Sequence, residues 1–249
     1  MAAKSLIVNA DDLGYDPAVT DGILRAMTEG IVTSATLMVN APHSAEAAAR
    51  ARPFAVGLHL NLARWRPLSG AVPAELLKDG EFVEANAPRL PPDAVRAEAL
   101  AQLAESERLL GKPPTHVDVH KHLHRHPNVL EGLAAAAKEK GLPVRSMTAT
   151  IRDNLGSCGV RTTGYFIGDA GAEAFWTLER FRIELEALPD GLTELMCHPG
   201  LAPTQVASGY NRQREVELQT FLHPGARAIV ERLGIYLVDF RVLRDAAAL

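Results

Sequence analysis

Five of the chain's nine histidines fall in one run, His116-Val117-Asp118-Val119-His120-Lys121-His122-Leu123-His124-Arg125-His126. Histidine at every second position keeps the imidazoles on one face for as long as the chain stays extended. Imidazole nitrogen suits Zn²⁺ and similar ions, and it titrates near neutral pH. A short barrel strand would end about at His120 and leave His122, His124 and His126 on the following loop. Asp118, two residues earlier, could accept the second ring N–H of a ligand His120 and fix its tautomer. For the later histidines, a solvated His-rich loop is an equal reading.

Other acidic and imidazole residues close short apolar runs in the same way. Asp11 and Asp12 follow Leu6-Ile7-Val8-Asn9-Ala10. They read equally as a turn with a helix N-cap or as a chemical pair, one carboxylate on a cation and the other facing a water. His59 lies in Gly57-Leu58-His59-Leu60-Asn61, where alternation puts Gly57, His59 and Asn61 on one face. A hydrogen-bonded core histidine is the stronger reading by pattern alone, although Gly57 leaves room for an approach. His198, in Cys197-His198-Pro199-Gly200, either caps a turn or donates a proton with an ordinary pKa near about 6.5. Cys197 sits in apolar strand with no basic neighbour, which argues against a nucleophile. No G-x-S-x-G, Walker or dinucleotide glycine motif is present.

Carboxylates and imidazoles at strand ends need a frame that gathers those ends. Strand-like runs at 5–9, 35–39, 56–61, 116–120, 194–197 and 235–239 alternate with helical patterns at 17–29, 93–110, 127–140, 172–188 and 212–233. Pro224 breaks or restarts the last of these. This alternation predicts parallel strands joined by crossover helices, with chemistry at the strands' C-terminal ends. The expectation is an α/β fold, a deformed or incomplete (β/α) TIM-like barrel, with a doubly wound sheet as runner-up. One domain over residues 1–249 is expected, with a Pro-rich insertion at about 67–92 and a turn at Asp79-Gly80.

Composition bounds the rest. In 249 residues, 47% are hydrophobic and 22% charged, and the net charge is −4. That excludes disorder and leaves no basic footprint for nucleic acid. No signal peptide or membrane-spanning run appears, and the two cysteines cannot build a disulfide scaffold. The expected address is the cytosol, with no nucleic-acid and no membrane partner.

Taken in order, LIVNADDLGYD, GIVTSATLMVN, VGLHLNL, THVDVHKHLHRHP and LMCHPG resemble the YdjC-like carbohydrate deacetylases, the ChbG/HpnK group. The resemblance runs from Leu6 to about Leu243, and GYNRQREVEL (Gly209–Leu218) resembles that family's tail region. It implies a deformed (β/α) barrel related to polysaccharide deacetylases, often a homodimer. The implied activity is metal-dependent removal of N-acetyl groups from amino sugars, including chitooligosaccharides, releasing acetate. Carried over by motif, Asp12, His59 and His120 are implied as metal ligands, Asp11 as general base and His198 as candidate acid. Such a donor set suits one divalent ion, Zn²⁺ best, with Mn²⁺ or Co²⁺ also fitting and Mg²⁺ less natural. Asn61, Asp118, His122, His124 and Arg145 are expected to meet substrate or support the site. Arg145 could orient Asp11 or lie at the surface. Residues 67–92 and 154–171 do not resemble a member with a known substrate, so sugar specificity would be set there. Two competing functions remain. One is a metal-dependent amidohydrolase or phosphoesterase on a similar barrel, for which no second carboxylate-rich cluster or bridging lysine is seen. The other is a non-catalytic metal- or sugar-binding protein, which would need neither Asp11 nor His198.

Overall fold

The computed structural model describes residues 4–245. In chain order the elements are β1 (Lys4–Leu13), α1 (Pro17–Glu29), β2 (Ser34–Leu37), α2 (Ser44–Ala51), β3 (Val56–Leu60), β4 (Leu77–Lys78), β5 (Glu81–Phe82), α3 (Pro92–Leu110) and β6 (Val117–Val119). Then follow α4 (Pro127–Lys140), α5 (Ala149–Ser157), β7 (Tyr165–Ile167), α6 (Leu178–Glu186), β8 (Gly191–Cys197), α7 (Arg212–Leu222), α8 (Pro224–Arg232), β9 (Tyr236–Val238) and α9 (Arg241–Asp245).

Local chemistry explains the clearest boundaries. α1 opens with Pro17 at a position where its missing N–H is harmless, and the Asp16 carboxylate caps Ala18 N–H. α4 begins at Pro127 and ends where Gly141 turns left-handed, φ 64°. The last long helical pattern divides at Pro224, as expected. Asp79 and Gly80 take φ 55° and 77°, the signature of a two-residue hairpin turn joining β4 and β5. The pattern at 172–188 shortens to α6, because the Thr177 hydroxyl caps Arg180 N–H and sets the start there. α2, α5 and β7 have no counterpart in the sequence reading. They are short, and residues 44–51 are mostly alanine with few large apolar residues to mark a face.

The main sheet runs β6-β3-β2-β1-β8-β7, every pairing parallel, with β9 beside the first half of β1. No ladder joins β6 to β7 among the described residues, so the curled sheet is an incomplete (β/α) barrel and not a doubly wound sheet. Leu6, Val8 and Ala10 of β1 belong to the apolar core. The alternate residues, Asn9 and Asp11, face a polar hollow where Asn9 bonds Ser34, Thr36 and Asp11. No helix among the described residues is long and apolar enough to cross a membrane.

Candidate active site

The strand ends at one end of the sheet surround a cleft of 680 Å³. Strict alternation would turn Asp12 away from Asp11. The ladder to β2 slips between Ala10 and Leu13, and Asp12 takes φ 73°, so both carboxylates line the cleft. The helix-cap reading of this pair fails, since Asp16 caps α1.

Asp12 Oδ1, His59 Nε2 and His120 Nδ1 converge here. Oδ1 lies 3.3 Å from the His59 nitrogen and 3.1 Å from the His120 nitrogen, and the two nitrogens are 3.2 Å apart. Donors about 2.0–2.1 Å from one ion stand roughly 3.0–3.4 Å from each other, so these spacings fit a shared cation. Asp12 Oδ1 is buried and has no hydrogen-bond partner, the condition a ligand oxygen would meet. Asp11, His59 and Asp118 also cluster, but Arg145 fills the space against both carboxylates.

His59 turns Nδ1 to Asp118 Oδ1 at 2.6 Å, leaving Nε2 toward Asp12 and His120. Asp118 therefore serves His59 and not its sequence neighbour His120. The reason is register: β3 and β6 pair His59 directly with Asp118. Burial alone would lower the His59 pKa, but the Asp118 charge and hydrogen bond win and raise it to about 10. His120 closes the extended run. Lys121 and His122 then turn left-handed, φ 60° and 51°, which ends the alternation of imidazoles.

Arg145 is fully buried, which removes its surface reading. Its guanidinium holds Asp11 at 2.6 and 2.7 Å, Asp118 at 3.0 Å and Glu194 at 2.7 Å. For Asp11, burial opposes ionisation, yet Arg145 keeps the carboxyl well below the usual carboxylate range. One cation cannot neutralise three anions. Burial pushes two of them up, Glu194 to about 7 and Asp118 above its ordinary value.

His198 follows β8 and lines the cleft. Its main-chain N–H donates to Glu217 Oε2 at 2.6 Å, and its ring leans on Tyr210 with centroids 5.3 Å apart. Burial lowers its pKa to about 4, so the ordinary near-neutral donor expected from sequence is a neutral imidazole at rest. Cys197 is buried and burial pushes its thiol well above the usual range, in line with its dismissal as a nucleophile.

The remaining expected residues divide. His122 lines the cleft with its ring against Phe166, at 5.8 Å. His124 is fully buried and does not line it. Asn61 is also buried, its amide engaged by Asn40, Arg64 and Ala63. Gly57 leaves room for His116 and not for a ligand, since a Cβ there would stand 2.5 Å from that ring. Sequence reasoning missed Arg214, Glu194 and Glu217. The one available signal was the GYNRQREVEL block, where Arg214 and Glu217 stand one helical turn apart.

A family model for YdjC-like protein matches residues 5–232. The chain belongs to the YdjC-like family. It is 36% identical to a carbohydrate deacetylase of Geobacillus stearothermophilus, covering 94% of this chain and 96% of that one. Identity to a chitooligosaccharide deacetylase of Serratia marcescens is 34%, covering 96% and 99%. The crystal structure of a protein from Enterococcus faecalis V583 superposes with a TM-score of 0.87 at 29% identity, covering 97% of this chain and 99% of that one. A family 4 acetyl xylan esterase from Clostridium thermocellum, solved with a cobalt ion, shares the fold at a TM-score of 0.54 and 14% identity, with coverage of 99% and 93%.

Proposed function

We propose that this protein is a metal-dependent carbohydrate N-deacetylase that hydrolyses the acetamide of N-acetylated amino sugars and releases acetate. The observation that carries this reading is the unpartnered Asp12 Oδ1 facing two imidazole nitrogens at 3.1 and 3.3 Å, in a cleft that Asp11 and His198 also line. The names of the two deacetylase relatives support the same chemistry.

Asp12, His59 and His120 would hold one divalent ion, and two nitrogens with one oxygen favour Zn²⁺ over Mg²⁺. When bound, such an ion supplies polarisation of the acetamide carbonyl and a lower pKa for water. The chain supplies the rest. Asp118 on Nδ1 fixes the His59 ring so that Nε2 is the nitrogen offered to an ion, which would take the place of that nitrogen's proton. Asp11, held ionised by Arg145, takes the proton of the attacking water. The proton that Asp11 takes from the water would pass through His198, neutral at rest, to the departing amine nitrogen as the C–N bond breaks, leaving acetate and the free amine. Both cysteines are free, Cys158 at the surface, which suits the reducing cytosol.

The test is acetate release from a panel of N-acetylated mono- and oligosaccharides, with and without chelator, alongside metal content. Expected are one ion per chain and chelator-sensitive release. Asp12→Ala, His59→Ala and His120→Ala should each lose ion and activity together. No acetate from any sugar, with one ion bound, would sink the reading.

A further inference from the structure

The block Gly209–Leu218 has no part in the reaction just described, yet it packs directly behind it. α7 begins inside this block and presents Arg214 and Glu217 on one face. Both are buried, 2% and 0% exposed. Arg214 Nη2 donates to Asp12 Oδ2 at 2.6 Å, and Nε donates to the Tyr210 carbonyl at 2.9 Å. Its guanidinium lies 5.7 Å from the Tyr15 ring and 5.6 Å from the Tyr210 ring, which pins it laterally. Glu217 accepts the His198 N–H through Oε2 and the Tyr210 hydroxyl through Oε1, both at 2.6 Å. The backbones also approach closely here: a Cβ at Gly22 of α1 would overlap Gly200, whose N–H donates to the Arg214 carbonyl at 3.2 Å.

We propose that this face of α7 positions both halves of the site, Arg214 the metal half and Glu217 the proton-donating half. The inference rests on the reading of Asp12 as ligand and His198 as proton carrier. Asp12 sits in a left-handed backbone conformation that a non-glycine residue rarely adopts. A carboxylate on such a residue needs an outside hold. Arg214 takes Oδ2 and so commits Oδ1 alone to the two imidazoles. Partners behind a ligand commonly set metal affinity in this way. Glu217 touches neither ligand histidine nor Asp12 in any described hydrogen bond. Its two bonds fix the His198 main chain and the ring that His198 leans on. Both act through other residues and are positioning residues.

The two arms separate experimentally on the full chain. Zinc dissociation constants are measured by competition with a chromophoric chelator, kcat and KM on a sugar the wild type deacetylates, and melting on the metal-free protein. Arg214→Met should weaken zinc by about 10–100-fold. Arg214→Gln should do the same, so the test survives if the Met variant does not fold. Arg214→Lys, which keeps the charge, should recover part of the affinity. Glu217→Gln should hold zinc within about threefold of wild type while kcat falls about tenfold or more at unchanged KM. Wild-type zinc affinity in Arg214→Met or Arg214→Gln overturns the inference. So does equal weakening of zinc in the Arg214 and Glu217 variants, which would mean that α7 only supports folding. A wild-type protein that takes up no zinc overturns the deacetylase reading itself, and this inference with it.

Discussion

Replacing Arg145 with methionine removes the guanidinium that Asp11, Asp118 and Glu194 share. All three carboxylates are buried, at 2%, 0% and 0% exposed. Taking one partner from a buried ion pair costs about 3–5 kcal/mol, because a charge is left without compensation. The loss does not triple. Glu194, already at about 7, takes up a proton near neutral pH, and Asp118 keeps His59. Asp11 is left with the Asn9 amide, so one uncompensated charge remains. The expected deficit at neutral pH is therefore about 3–5 kcal/mol, or roughly 10 °C in melting temperature for a chain of this size. The sign with pH follows from linkage. In the wild type, Asp11 lies below its unfolded value, so its contribution is present above about pH 3.9 and is lost as pH falls through the lowered value. Without Arg145, burial raises Asp11 above the unfolded value. The deficit is then largest at high pH and shrinks as the carboxyl regains its proton. Urea unfolding of metal-free wild type and Arg145→Met at pH 8 and pH 5 measures both quantities. A deficit under about 1 kcal/mol, or one equal at the two pH values, would refute the assignment of Arg145 as the counter-charge.

Asp11→Asn should bind zinc normally yet lose about 10²–10⁴ in kcat, the usual contribution of a general base; turnover near wild type removes Asp11 from that role. Glu194 is raised to about 7 from 4.5, so between those values the folded chain binds a proton that the unfolded chain does not. Its contribution to stability thus falls as pH rises through that window. Glu194→Gln cannot titrate and should flatten the fall in melting temperature between pH 5 and pH 7.5; an unchanged slope contradicts the shift. Gly57→Ala drives a Cβ to 2.5 Å from the His116 ring and 2.8 Å from its carbonyl oxygen. A cost of about 1–3 kcal/mol is expected, read from thermal or urea unfolding, and a neutral effect would show that this packing yields.

Much of the frame was legible because local chemistry marks it. Proline at the first turn and glycine after the last set α1 and α4 at the boundaries their patterns predict. Polar residues closing apolar runs pointed to a single end of a parallel sheet. The deacetylase family was readable from five short blocks, and the family match over residues 5–232 agrees. Short elements were harder. β7 has three residues, too few to show a period of two against its background.

The sequence by itself determined which side chains stand at the strand ends, because strand length and turn residues are local properties. Only the tertiary structure decided what those side chains do to one another. Asp118 is two residues from His120 but pairs with His59, because the lateral register of two strands is set by non-local packing. Arg145 reaches Asp11 across 134 residues and Arg214 reaches Asp12 across 202, and both charges are buried only because each meets its counter-ion there. The bulge at Asp12 turns two adjacent carboxylates into one cleft, where alternation alone would have separated them. The histidine run supplied one nitrogen to that cluster, His120, and the other came from β3 through the fold.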